Sequence, residues 1–291
     1  MPDAHYRHSG TNLPLLHAKD RTGAAFNSSL DYSQMPKHRV VRLTLKVNVQ
    51  FIPVSSAGQG KLAGVTRPKS RPLPNAAMQQ WKDSEWKAWK TKAIKQIRDF
   101  WETAFYLRAT KPTGLEWQAD GKVFWPLFRC DMRVSEVGGG AHLKIAVIKV
   151  KPQYFSTSFY TNRTLWLDSN DTKLTYKGAA KVGKHMVHLK QVPLLHEFGH
   201  AIGLPHVGVA RGLEGCGADT NAKACYGGSK VDALDLMGGG NERSPDHAKP
   251  WSNRLKHHLK PKFRDNDFIY STTPQKPRVR LLQTAAPKKA I

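Results

Sequence analysis

Apolar and polar positions alternate strictly over one stretch of the chain. Val41, Leu43, Leu45, Val47, Val49 and Phe51 are separated by Arg42, Thr44, Lys46, Asn48 and Gln50. A period of two over this length predicts a strand with one face buried. Pro53 ends the pattern, and the proline-, glycine- and serine-rich residues 53–75 read as a loop. The period then changes. Trp86, Trp89, Ala93, Ile97, Phe100, Ala104 and Leu107 recur at steps of three and four, which predicts one helix over 76–108 with a single apolar stripe. Lys87, Lys90, Lys92, Lys95 and Arg98 fall mostly off that stripe, as on a solvated face.

Further strands are expected at 122–134, where Pro126 implies a bulge or an edge, and at 142–150, 163–168 and 183–192. A last helix is expected at about 250–260. The polar residues 1–37 read as an N-terminal arm, 38–260 as one domain, and 261–291 as a basic tail or peripheral strand. The elements therefore predict an α+β fold.

Composition narrows the classes. The chain has 291 residues with 40% hydrophobic content, enough for a packed core. No run approaches the ~20 apolar residues of a membrane span. The first residues lack the apolar stretch of a Sec signal peptide, so localisation stays open. A formal charge of +24 exceeds what solubility requires and points to a polyanionic partner. Three cysteines, Cys130, Cys216 and Cys225, are too few for a disulfide scaffold.

The chemistry is concentrated in LLHEFGHAIGLPH, residues 194–206. His196 and His200 are one helical turn apart, so their imidazoles leave one face and can share a Zn²⁺ ion. Glu197 follows the first ligand and can reach the space beside the metal. Gly203 permits a positive φ, which stops the helix, and Pro205 fits the break. The turn brings His206 round as a third ligand. Three protein ligands leave a fourth position open, the mark of a catalytic rather than a closed site. The five fixed positions arise by chance on the order of once in 10⁴ such chains.

These residues resemble the elongated zinc signature of the metzincin clan of zinc endopeptidases, and the fillers HEFGHAIGL are most similar to its matrixin branch. The resemblance covers about residues 39–260. It implies a zincin catalytic domain: a twisted mixed sheet, a long backing helix, a zinc helix, a Met-turn and a C-terminal helix. It implies one catalytic zinc ion, Glu197 as general base, a protein or peptide substrate, and Met237 in LDLMGGG as the Met-turn methionine. The secreted habit of such proteins implies a disulfide between Cys216 and Cys225. There are departures. The interval from His206 to Met237 is long, Gly239 stands where some branches place a tyrosine, and no cysteine switch is evident before the zinc helix.

Several further expectations follow from the same reading. An extended substrate would lie along an edge strand at 161–168, and the loop 207–236 would shape the pocket. Asp219, Asp232, Asp235, Asn241 and Asp246 offer oxygen atoms but lack calcium-loop spacing, and read as solvated loop residues. The charge suits an effector or toxin loaded into a non-Sec delivery device. The alternatives are a basic nucleic-acid-binding protein with a structural or vestigial zinc site, and an amidase acting on cell-wall peptides.

Overall fold

The computed structural model describes residues 26–31, 33, 38–54, 74–113, 115–119, 122–154, 158–182, 184–216, 223–259, 263–273 and 279–281. It is a mixed α+β fold organised around strand β2 (Val40–Val54). The alternation in β2 is realised: Val41, Leu43, Leu45 and Val49 are fully buried, while the residues between them are partly exposed. Strand β6 (Leu127–Glu136) runs parallel along one edge of β2, from Val40↔Leu127 to Val49↔Glu136. The other edge is shared. The early half of β2 takes the antiparallel β1 (Asn27–Asp31), and the late half takes the parallel β7 (Leu143–Ile148).

Strand β3 (Phe105–Ala109) extends the sheet beyond β6, and β12 (Phe268–Ser271) extends it beyond β3. On the far side β9 (Thr164–Asp168) joins β7 in parallel, and β8 (Phe159–Thr161) closes that edge antiparallel to β9. Two small sheets stand apart. One joins β4 (Trp117–Ala119), β5 (Lys122–Phe124) and β13 (Val279–Leu281), and the other is the hairpin of β10 (Thr175–Val182) and β11 (His185–Gln191).

Helix α1 (Asp83–Trp101) lies against the sheet, with Trp89, Ala93, Ile97, Phe100 and Trp101 buried. It is shorter than the 76–108 expectation. Glu102 is extended and Thr103 has a φ of 55°, so the chain leaves the helix there. Ala104 and Leu107 matched the helical spacing by coincidence. Phe105, Leu107 and Ala109 are buried at alternate positions, which is the period of a strand. Short apolar runs satisfy both periods, and sheet pairing decided this one.

Residues on both flanks of 38–260 pack against the core. Phe26 and Leu30 from the N-terminal arm enter the core, and Ser28 meets His258 at 3.0 Å. Phe263 and Phe268 are buried as well, so both flanking segments contribute to the folded body. The 122–134 expectation divides into β5 and β6, with Trp125 and Pro126 between them.

The core meets the site at Trp101. Its ring lies 6.4 Å from Phe198, 6.1 Å from Phe105 and 6.4 Å from Trp251. Phe198 belongs to α2 (Pro193–Ala201), which carries the histidine motif, and Trp251 belongs to α5 (Lys249–His258). Burial of such rings typically accounts for about 3–5 kcal/mol each on truncation to alanine, so the helix bearing the motif is anchored from behind.

Candidate metal centre

Helix α2 begins with Pro193 at its first position, where a missing N–H costs nothing and φ is already set. It exposes one polar face on an otherwise apolar segment: His196 and Glu197 are buried at the floor of a cleft, while Leu194, Leu195 and Phe198 face the core. The helix stops after Ala201, and Gly203 adopts a φ of +101°. That conformation turns the chain so that His206 returns to the same point. His200 Nε2 lies 3.2 Å from His196 Nε2 and 3.1 Å from His206 Nε2.

This spacing tests the fit to a metal. Ligand atoms at ~2.0–2.1 Å around a tetrahedral zinc stand about 3.3–3.4 Å apart. Among the described residues, these three histidines form a group with metal-ligand geometry. The tautomers fit too. His196 Nδ1–H donates to the Leu236 carbonyl at 2.7 Å, and His200 Nδ1–H donates to the Leu204 carbonyl at 2.8 Å. Each bond fixes the ring and leaves the Nε2 lone pair directed inward.

Burial favours the neutral form of His196 and His200. Burial lowers His196 well below the ordinary histidine value; the neighbouring His200 and His206, and more weakly Lys177, push the same way, against the Leu236 bond. Burial, then His206, lowers His200 to about 4. Neutral nitrogen donors without a carboxylate among them suit a borderline cation such as zinc.

Met237 lies beneath the helix and is buried. A Cβ at Gly199 would stand 2.5 Å from Met237 Sδ, so glycine is what lets the methionine close against α2. Gln191, just before α2, holds this turn by donating to the Leu236 and Gly238 carbonyls at 2.9 and 3.0 Å. Asn241 accepts from the Val192 N–H at 3.2 Å. Gly239 packs on Leu189, where a Cβ would lie 2.7 Å from Cδ1.

Two short helices lie between His206 and Met237. Helix α3 (Val207–Arg211) follows His206, and α4 (Lys230–Leu234) precedes the Met237 turn. Cys216 and Cys225 are disulfide-bonded, with Cα atoms 4.9 Å apart. Tyr226 follows, its ring 4.3 Å from His206 and 6.3 Å from His196. Tyr226, Gly227 and Ala233 line a cleft of about 570 Å³ together with His196 and Glu197, so part of the 207–236 segment does shape it. The hairpin forms the opposite wall through Lys177, Gly178, Ala179 and Leu189.

Two expectations are corrected. Thr164–Asp168 is interior to the sheet and wholly buried, and among the described strands the last at that end of the sheet is Phe159–Thr161 of β8. Asp232 and Asp235 are not solvated loop residues. Asp232 is buried and pairs with Arg211, and Asp235 is buried against His247 at 2.8 Å. Asp246 is exposed, and Asp219 lies outside the described residues. Cys130 is buried within β6.

Sequence reasoning missed Gln191, Tyr226 and His247, and it placed Asp235 and Asn241 among solvated loop residues, whereas Asp235 holds His247 and Asn241 accepts the Val192 N–H. None belongs to a fixed spacing, and their positions depend on chain segments that meet only on folding. Tyr226 alone carried a local signal, as an aromatic residue directly after one cysteine of the candidate bridge. Comparison of the chain with protein-family models, with curated proteins and with solved structures returned no match.

Proposed function

We propose that the chain is a zinc-dependent endopeptidase of metzincin type. The convergence of three imidazole Nε2 atoms, with His200 Nε2 at 3.1–3.2 Å from the other two, beside Glu197 on an open cleft, carries this reading. His196, His200 and His206 would hold the ion. Zinc bound there supplies Lewis acidity, which acidifies a water and polarises a carbonyl. Glu197 takes the proton from the attacking water and returns it to the leaving amine, so that the C–N bond breaks without releasing a charged amide. The backbone carbonyls of Leu236 and Leu204 keep two of the imidazoles in the ligating tautomer. Met237 and Phe198 support the helix from below and exclude water from that side.

The +24 charge supports association with acidic partners, and among the described residues no helix is long and apolar enough to cross a membrane. The deciding experiment combines metal analysis with digestion of a mixed peptide library. We expect about one zinc per chain and cleavage abolished by chelation. A protein that binds zinc stoichiometrically but leaves every peptide intact would favour the structural-zinc alternative.

A further inference from the structure

We infer that Lys177 forms a cationic subsite in the cleft that receives the carboxylate of an acidic substrate side chain, an inference that rests on the endopeptidase reading. The placement of Lys177 is the first reason. In the hairpin, Tyr176 pairs with Lys190 and the next pair is Gly178 with Leu189, so Lys177 is the extra residue of a bulge. Gly178 continues the irregularity with a φ of +123°. A bulge breaks strand alternation and re-aims a side chain, commonly beside a functional site. Here it brings Lys177 into the wall of the cleft that holds His196 and Glu197.

Its surroundings are the second reason. Lys177 is exposed and in no ion pair within 4 Å among the described residues. The nearby Asp171 is buried and already accepts bonds from Ser158 Oγ and the Asp168 N–H. Glu197 is the one carboxylate among the described residues lining the cleft, and the mechanism commits it to proton transfer. The remaining lining is largely glycine, alanine, leucine and proline. Lys177 is therefore the one permanent positive charge on that lining, facing the space a substrate would fill.

The wider hairpin has the same sign. From Thr172 to His196 the sequence contains five lysines and no aspartate or glutamate. Lys184 and Lys190 are exposed there, as are Tyr176 and Met186. Long-range attraction would draw acidic segments to this wall, and Lys177 would then choose one side chain. A nucleic acid fits less well. Its phosphates recur every few ångströms and need a row of cations, whereas the cleft lining provides one.

The test is digestion of a balanced peptide library by the zinc-loaded protein and by Lys177→Ala, Lys177→Arg and Lys177→Glu, read by mass spectrometry. The readout is the ratio of acidic to basic residues at each position around the cut. The parent should favour Asp or Glu over Lys at one position by about five- to tenfold, falling as salt rises. Lys177→Arg should keep the preference, Lys177→Ala should lose it, and Lys177→Glu should reverse it. Cleavage with no acidic preference, or a preference unchanged in Lys177→Glu, would overturn the subsite while leaving the endopeptidase reading intact. If no peptide is cut, that reading fails instead. Binding of fluorescent Glu-rich and Lys-rich decapeptides to the parent and to Lys177→Glu then decides the subsite, and equal binding of both peptides to both proteins overturns it.

Discussion

Two buried groups flank the turn at Met237, a cluster of three histidines and the His247–Asp235 pair, and they are wired in opposite ways. On one side His196 gives its Nδ1–H to the Leu236 carbonyl, and Nε2 is left facing His200. On the other side His247 gives Nε2 to Asp235 Oδ1 at 2.8 Å and accepts the Ser244 N–H at Nδ1 at 3.3 Å. Both rings are buried, and the residues that serve them are adjacent in the chain. A carbonyl orients a ring and leaves the far nitrogen's lone pair available. A carboxylate on Nε2 takes that nitrogen for itself. Burial and residue type are thus the same, while the capacity to hold a metal is not. Asp235 also accepts the Met237 N–H at 2.7 Å, so the second group is suited to holding the turn on which the first group rests.

The largest effect should come from the residue beside the first group. Glu197→Gln should lower peptide hydrolysis by roughly 10²–10⁴-fold while zinc content stays near one per chain, because the base is removed and no ligand is. Unchanged turnover in that variant would remove Glu197 from the mechanism.

The contrast between the groups is tested by a pair of variants. His200→Ala should lose most of the zinc. His247→Ala should retain it but lose about 3–5 kcal/mol of stability in denaturant unfolding, since it leaves the buried Asp235 carboxylate without its partner. Asp235 depends on that partner. Burial pushes its pKa up, but the interaction with His247, the Ser244 hydroxyl and the Met237 N–H together hold it below the ordinary value. Loss of zinc in His247→Ala at full folding would erase the distinction between the two groups.

Acid should separate the groups further. The metal-free protein keeps His200 neutral down to about 4, whereas the unfolded chain takes up a proton near 6.5. The unfolded state then binds more protons across that window, so this group makes stability fall as pH drops from 6.5 to 4 and level below it. His200→Gln should flatten that segment of the curve measured by thermal unfolding. A slope unchanged by the substitution would mean that the ring is already protonated in the fold.

The disulfide should contribute up to roughly 3 kcal/mol, the chain-entropy value for a loop of this size. A double Cys216→Ser, Cys225→Ser variant tests this by its unfolding midpoint. A further pH effect should come from Asp171. Burial, then Asp168, raises its pKa from 3.8 to about 8. The folded state therefore holds a proton that the unfolded state has released, and stability from this group falls as pH rises from about 4 to 8. Asp171→Asn should remove that decline, and an unaltered pH profile would count against it.

What could be read without the fold was local. The alternation in β2, the stripe on α1 as far as Phe100, and the turn-apart spacing of His196 and His200 all follow from the geometry of a single element. Gly203 could be anticipated because the need for a positive φ is a property of one residue. The mixed α+β class was legible for the same reason. Resolution failed where one segment satisfied two periods, as at Ala104 and Leu107, because only the partner strands β6 and β12 distinguish strand from helix there.

The tertiary structure decided everything that joins distant segments. Leu236 orients His196 from 40 residues away, Tyr226 packs against His206, and Asp235 takes His247 rather than solvent. It also placed the β10 bulge beside the motif, which put Lys177 into the cleft. The physical reason is that backbone periodicity acts between neighbours, whereas a buried polar group takes whichever partner the packed chain brings within about 3 Å. A ligand spacing can therefore be written in eleven residues, while the orientation of a buried imidazole depends on a carbonyl or carboxylate that only folding supplies.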